Sequence, residues 1–429
     1  MKYKLLPHQE RVIEYANKFE YFIMNVAPGG GKSLITLHLA DQMKMKLLVV
    51  LPTYLIENWK TEIAKFFDNK IVTVIRKEGQ IYDLFDTDIC LATYEKAEHF
   101  EKLFEWADFV AFEEGHYLKN MAAKRTQACH KLLYENSNKR MAILTGTPIK
   151  NRVRDFYSLL ALCNYQPMYK KSHFLENYPE DISFAEKFSY RSESRISVFN
   201  ATKGYMVEVP LIKYTGLRNV DELKIWMRPH YVKVVDTEFM KTEGYAFRDF
   251  HCGEPDDAEL WEEFDISQDE INSVNPKVKV KAAMATSTFT VKYAMDLVES
   301  GIQKVVIYTD HVEPCEFIAT KLKVPAITGK IKPEERVDIA NKFAKDPSIN
   351  YLVATIPSFS TGINQLVVSN NMILNDPCWD PGGLLQTIKR IDRIGQTKQC
   401  VIHRIMGTPQ SEKIYEALFD KMETIKEAL

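Results

Sequence analysis

No run in this chain reaches the eighteen or so consecutive apolar residues that a membrane-spanning helix needs, which excludes a helical membrane protein. The opening Met1-Lys2-Tyr3-Lys4-Leu5-Leu6-Pro7 puts charges and a proline where an export signal requires an apolar core, so the expected location is cytoplasmic. Cysteine is sparse and scattered: Cys90, Cys129, Cys163, Cys252, Cys315, Cys378 and Cys400 stand singly, odd in number and without a C-x-x-C pair. That excludes a zinc ribbon and a disulfide framework and reads as reduced thiols. An excess of either charge is missing too, 56 Lys and Arg against 58 Asp and Glu for a net −2. A polyanion would therefore have to bind a local basic surface, because the body as a whole is not positive. Tandem repeats and low-complexity tracts are absent as well.

What is present is an ordinary globular composition, 45% hydrophobic and 27% charged over 429 residues, long enough for two or three domains with separate cores. Short apolar runs recur at Leu47 to Leu51, Ile71 to Ile75, Ile89 to Ala92, Phe109 to Phe112 and Met141 to Leu144, with amphipathic stretches between them. A second set follows at Val305 to Tyr308, Tyr351 to Ala354, Met372 to Leu374 and Val401 to Ile405. Strands alternating with helices predict an α/β fold with two mostly parallel sheets, each covered on both faces. Between them the strand period fades, and an acidic patch runs through Glu254, Asp256, Asp257, Glu259, Glu262, Glu263 and Asp265, read as a solvated face. The expected division is a first lobe over residues 1–165, a helical insertion and linker over 166–285, and a second lobe over 286–429.

The first lobe carries a phosphate cradle. Ile23-Met24-Asn25-Val26 runs into Ala27-Pro28-Gly29-Gly30-Gly31-Lys32-Ser33 and then into the helical pattern of Leu34, Leu37 and His38. Glycines let successive backbone N–H groups curl around phosphate oxygens, and the helix N-terminus adds positive potential. Lys32 reaches the terminal phosphates, and the Ser33 hydroxyl ligates Mg²⁺. Val26 stands where the general signature has its first glycine. Downstream, Phe109-Val110-Ala111-Phe112 delivers Glu113 and Glu114 at a strand tip, one carboxylate for the Mg²⁺ shell and one to polarise the attacking water.

Glu113-Glu114-Gly115-His116-Tyr117-Leu118-Lys119-Asn120 resembles the Asp-Glu-x-His box of superfamily-two helicases, in the version of the Swi/Snf-type branch. Leu6-Pro7-His8-Gln9 resembles the adenine-reading glutamine motif, and Val49-Val50-Leu51-Pro52 with Asn58-Trp59 resembles motif Ia. Thr93-Tyr94-Glu95 is similar to motif Ib, and Leu144-Thr145-Gly146-Thr147-Pro148 with Ile149-Lys150-Asn151 to motif III. Later, Ile307-Tyr308-Thr309-Asp310-His311 resembles motif IV and Thr361-Gly362-Ile363-Asn364 motif V. Asp376-Pro377-Cys378-Trp379-Asp380-Pro381 resembles the branch's Trp-Asn-Pro segment, and Gln386-Thr387-Ile388-Lys389-Arg390-Ile391-Asp392-Arg393-Ile394-Gly395-Gln396 resembles motif VI. The departures are Glu113 for the usual aspartate of the box and Gly115 for its alanine.

This resemblance implies two RecA-like lobes, with ATP and Mg²⁺ as cofactors and duplex DNA, bound without sequence preference, as partner. It assigns nucleotide contacts to Gln9, Pro28, Gly29, Gly30, Gly31, Lys32, Ser33 and Gly362, and metal contacts to Ser33 and Glu113. Catalysis falls to Lys32, Glu114, Gln386, Arg390 and Arg393. DNA backbone contacts fall to Pro52, Thr53, Thr93, Thr145, Thr309, Thr361, Asn364 and Trp379, most of them at predicted strand ends where ligands of open α/β sheets gather. Trp59 reads instead as a packing residue, on one helix face with Ile63 and Phe66.

On a helix, Gln386, Arg390 and Arg393 would share one face with Ile388, Ile391 and Ile394 packed behind. An arginine contributed by the far lobe would make hydrolysis conditional on closure, the logic of an arginine finger worth about 10³ to 10⁵ in turnover. The expected protein is a stripped DNA-dependent ATPase and translocase of the kind found in bacteria and their viruses. A strand-separating helicase and a DNA-binding scaffold with a degenerate ATPase, the latter suggested by Val26 and Glu113, stay open.

Overall fold

The computed structural model describes residues 3–76, 80, 84–97, 101–136, 138–149, 152–163, 179–200, 205–239, 242–252, 276–359, 365–378, 380–407 and 409–429. The chain divides into two compact units, Met1–Glu238 with Lys421–Leu429, and Phe239–Asp420.

In the first unit, strands β1 (Tyr21–Val26), β2 (Leu47–Leu51), β3 (Val72–Ile75), β4 (Ile89–Thr93), β5 (Phe109–Glu113) and β6 (Arg140–Thr145) follow the predicted apolar runs closely. A later strand joins them, after the antiparallel hairpin of β7 (Tyr190–Asn200) and β8 (Tyr205–Thr215): β9 (Tyr231–Val234). The sheet order is β3-β4-β2-β5-β6-β1-β9, every pairing parallel. All five residues of β2 are buried because a parallel sheet is covered on both faces, so neither side of the strand meets water. Of the edge strands, β9 alternates half-buried and buried positions, whereas β3 is half-buried over Val72 to Val74 and buried at Ile75. Helix Ile56–Phe66 lays Ile56, Trp59 and Ile63 inward at helical spacing, and Trp59 is fully buried, as its packing role requires.

The described part of the middle stretch is only partly helical. Helices Pro179–Phe188 and Val220–Met227 flank the β7–β8 hairpin, whose Tyr190 and Ile212 are exposed. Tyr214 of the same ribbon is buried, so the ribbon mixes exposed and buried positions, which blurs a strand period in sequence. The acidic patch, Glu254 to Asp265, lies outside the described residues.

The second unit holds a six-stranded sheet in the order β10-β15-β14-β11-β13-β12. Its strands are β10 (Tyr245–His251), β11 (Val305–Thr309), β12 (Ala326–Ile327), β13 (Tyr351–Thr355), β14 (Asn371–Leu374) and β15 (Cys400–Met406). All are parallel to their neighbours. Each unit is therefore an open α/β layer structure, and its strand ends point to one edge. All seven cysteines are buried and none is in a disulfide. Among the described residues no helix is long and apolar enough to cross a membrane.

Candidate active site

The predicted phosphate cradle is a loop that follows the end of β1. Val26 is fully buried and its carbonyl accepts the Lys32 ammonium at 3.0 Å, so the residue that departs from the glycine signature contributes a core side chain and a backbone acceptor. Gly29 and Gly31 take φ of +85° and +87°, a region that side chains enter at a cost. At Gly31 the space is closed as well, because a Cβ there would lie 2.4 Å from Gln9 Nε2. Helix Lys32–Gln42 starts directly after it, aiming its N-terminal N–H groups into the loop, with Ser33 half-buried in the first turn. Pro28 borders the turn after β6, where a Cβ on Gly146 would sit 3.4 Å from Pro28 Cδ.

Gln9 and His8 brace this loop. His8 Nε2 donates to Gly30 O at 2.9 Å, Gln9 Nε2 donates to the same oxygen at 3.3 Å, and Gln9 Oε1 accepts the Leu6 N–H at 3.0 Å. The glutamine expected at the adenine thus has both ends of its amide on its own chain, and His8 shares the brace.

At the tip of β5 the Glu113 side chain is buried with Oε2 making no hydrogen bond. Burial pushes its carboxyl up to about 8; the charge of Glu114 adds to this, while the Lys32 ammonium and a hydrogen bond from Trp59 oppose it. A residue read only as packing therefore also holds the first carboxylate, and the Tyr94 hydroxyl fixes the strand end by donating to Glu113 O at 2.8 Å. Glu114 adopts φ +52° and ψ +51°, a left-handed conformation that costs a non-glycine residue about 1 kcal/mol or more and that clusters at active sites. His116 Nδ1 lies 3.2 Å from Glu114 Oε2. Gly115 has another reason to lack a side chain: a Cβ there would come within 2.1 Å of Ile143 Cγ2.

The strand-end candidates fall into two groups. Pro52 is buried, Thr53 is exposed and Thr93 is half-buried at the end of β4. Thr145 and Thr309 are fully buried, and their hydroxyls shape their own turns. Thr145 Oγ1 accepts the Thr147 N–H at 3.0 Å; Thr309 Oγ1 accepts the His311 N–H at 3.0 Å and donates to His311 O at 2.6 Å. Thr361, Gly362, Asn364 and Trp379 lie outside the described residues.

In the second unit, helix Pro381–Ile388 carries Gln386 but stops before both arginines. The chain continues in turns, with Arg390 N–H on Thr387 O at 3.0 Å and the Ile391 and Asp392 N–H groups on Ile388 O at 3.1 Å each. The expected single helical face is thus corrected: Ile388 and Ile391 are fully buried, but Ile394 is 56% exposed because the turn swings it outward. Arg390 and Arg393 are both half-buried. Burial and the neighbouring Arg390 charge lower the Arg393 pKa, so the two guanidinium groups stay close at some electrostatic cost.

A family model described as SNF2-related domain matches residues 8–228, and one described as helicase conserved C-terminal domain matches residues 290–395. The chain belongs to the SNF2-related family. Among its curated relatives, the DNA repair and recombination protein RDH54 of Saccharomyces cerevisiae is 25% identical over 413 residues, covering 85% of this chain and 44% of that protein. An uncharacterized ATP-dependent helicase of Mycoplasma pneumoniae is 22% identical, covering 92% of this chain and 38% of the relative. The probable global transactivator of Orgyia pseudotsugata multicapsid polyhedrosis virus is 25% identical, covering 97% and 89%. The chain spans less than half the length of the first of these relatives. Among solved structures it is similar to the Sulfolobus solfataricus SWI2/SNF2 ATPase core in complex with dsDNA, at 22% identity and a TM-score of 0.44, covering 100% of this chain and 94% of that one.

Proposed function

We propose that this SNF2-related chain is a DNA-dependent ATP hydrolase that moves along duplex DNA. The observation that carries the reading is the first unit's cradle: a glycine loop open to phosphate, Lys32 beside it, and two carboxylates behind, one of them buried without a full set of partners. Lys32 exchanges Val26 O for phosphate oxygens when nucleotide binds. Glu114, held in a strained conformation beside His116, orients the attacking water and takes its proton. Ser33 and Glu113 fit a divalent cation, because the Glu113 carboxyl is buried with an unused oxygen and burial holds it up at about 8. Mg²⁺ bound there would neutralise phosphate charge. In this reading Arg390 and Arg393 stabilise the charge that spreads over the transferring phosphoryl group, which makes hydrolysis conditional on nucleotide drawing the units together.

Two relatives are named as DNA repair proteins, which supports DNA as the track. Contacts to sugar and phosphate carry no sequence information, so binding is sequence-tolerant and weakens steeply with salt. Phosphate release by the purified chain, with and without duplex DNA, tests the proposal. The expected result is a DNA-stimulated rate that Lys32→Ala abolishes; a rate indifferent to DNA, or an active variant, overturns it. A relative named as a helicase favours a second reading, strand separation, which a forked-duplex unwinding assay decides.

A further inference from the structure

The turn that carries Arg390 and Arg393 is held by partners from other segments as well as by its own backbone bonds. Its helix has ended at Ile388, so neither arginine sits in a continuing helical ladder. Gln396 fixes the far end of the turn, with Nε2 donating to Val367 O at 3.1 Å and Ser369 O at 2.9 Å. Asp392 fixes the middle. Its side chain is fully buried; Oδ1 accepts the Thr242 hydroxyl at 2.9 Å, and Oδ2 lies 2.5 Å from Lys389 Nζ. The Lys389 ammonium in turn sits 5.4 Å from the Tyr245 ring centroid. A carboxylate this deep is costly unless charge-paired and hydrogen-bonded, and here it is both.

Thr242 and Tyr245 belong to the segment by which the chain enters the second unit after Glu238. Gly244, between them, accepts the Cys400 N–H at 2.9 Å and so seats this segment at the start of β15. The entering segment is therefore fastened to the arginine turn through a buried carboxylate and through the Lys389 ammonium over Tyr245.

We propose that Asp392, with Thr242 and Lys389, is a positioning device that holds the turn in the geometry in which Arg390 and Arg393 serve hydrolysis. The inference rests on the hydrolytic reading of the two arginines. Thr242 reaches the arginine turn through Asp392, and its hydroxyl also accepts the Gly244 N–H at 3.4 Å within the entering segment, so removing the hydroxyl slows turnover without weakening substrate binding.

The test measures DNA-stimulated ATP turnover for the parent, Thr242→Val, Thr242→Ser, Asp392→Asn and Arg390→Ala. Thr242→Val, which keeps the side-chain shape, lowers kcat about fivefold, the value of one hydrogen bond, while KM for ATP and affinity for DNA stay within about twofold. Thr242→Ser restores kcat to within about twofold of the parent, and Asp392→Asn loses about tenfold because the lysine pairing goes with the charge. Parental kcat in Thr242→Val and Asp392→Asn beside a crippled Arg390→Ala overturns the inference, as does a loss confined to KM or one that serine fails to rescue. A parental rate in Arg390→Ala overturns the hydrolytic reading itself, and this inference with it.

Discussion

Gly115 lies between the proposed water-orienting Glu114 and His116, and the structure makes its lack of a side chain a packing requirement. A Cβ added there falls 2.1 Å from Ile143 Cγ2 and 3.5 Å from Ile143 Cβ. Ile143 is fully buried in β6, in register with Ile23 of β1 on one side and Phe112 of β5 on the other, so it has nowhere to retreat. Overpacking of this kind costs about 1–3 kcal/mol. Ile143→Ala alone removes buried methyl groups and leaves a cavity, at about 2–5 kcal/mol. In the Gly115→Ala, Ile143→Ala double variant the new methyl enters the vacated space, so the two losses should fall short of their sum by at least about 1 kcal/mol. Urea unfolding of the four proteins measures this coupling. Phosphate release from the same four adds a second readout, since Gly115→Ala displaces Glu114 and the double variant restores part of the lost rate. Losses that add to within about 0.5 kcal/mol would refute the steric account.

Gly31→Ala forces a side chain into φ +87° and against Gln9 Nε2, so nucleotide affinity measured by titration falls at least about tenfold while the fold persists. The double variant Arg390→Ala, Arg393→Ala lowers DNA-stimulated turnover by about 10³ or more, with nucleotide binding to the first unit changed only a few-fold; equal turnover sinks the finger assignment. Burial, helped by the Arg248 charge, holds the His403 pKa down to about 4, below the 6.5 of the unfolded chain. The unfolded state therefore takes the proton first, and stability that is intact above about pH 6.5 is lost as pH falls toward 4, by about 2 kcal/mol at pH 5. The stability advantage of the parent over His403→Leu shrinks by that amount between pH 7.5 and 5 in urea unfolding, and a constant gap refutes the shift.

The central strands were legible because they are buried on both faces and had to be apolar throughout, as in Leu47-Leu48-Val49-Val50-Leu51. Besides the β7–β8 hairpin, the strands without a clear sequence signal lie at sheet margins. β9, Tyr231-Val232-Lys233-Val234, is four residues long and, among the described residues, pairs only with β1. β10 interleaves Arg248 and Asp249 with aromatics and, among the described residues, pairs only with β15. An edge strand meets solvent on one side and on part of its face, so hydrophobic pattern underdetermines it. Edge strands are also how each sheet reaches into the middle stretch, which is why composition there looked like a linker.

The site shows a similar split between what residue type dictates and what only packing decides. Glycines at φ +85° and +87° and a lysine after them are chemically forced by a phosphate cradle, so the loop was readable. At the arginine turn, three-residue spacing and apolar residues behind it satisfy a helical template equally well, so sequence alone predicts a helix there. What ends the helix is long-range: Asp392 is drawn to Thr242, 150 residues earlier in the chain, and Gln396 to Val367 and Ser369. A buried carboxylate flanked by isoleucines, Ile391-Asp392 and then Ile394, is the one local sign of this. An acid between apolar neighbours on a face that must be buried has to find a donor, and a donor from another element bends the chain away from its helical path. That sign was present in the sequence, but the identity of the donor was not, because no local pattern links Thr242 to Asp392.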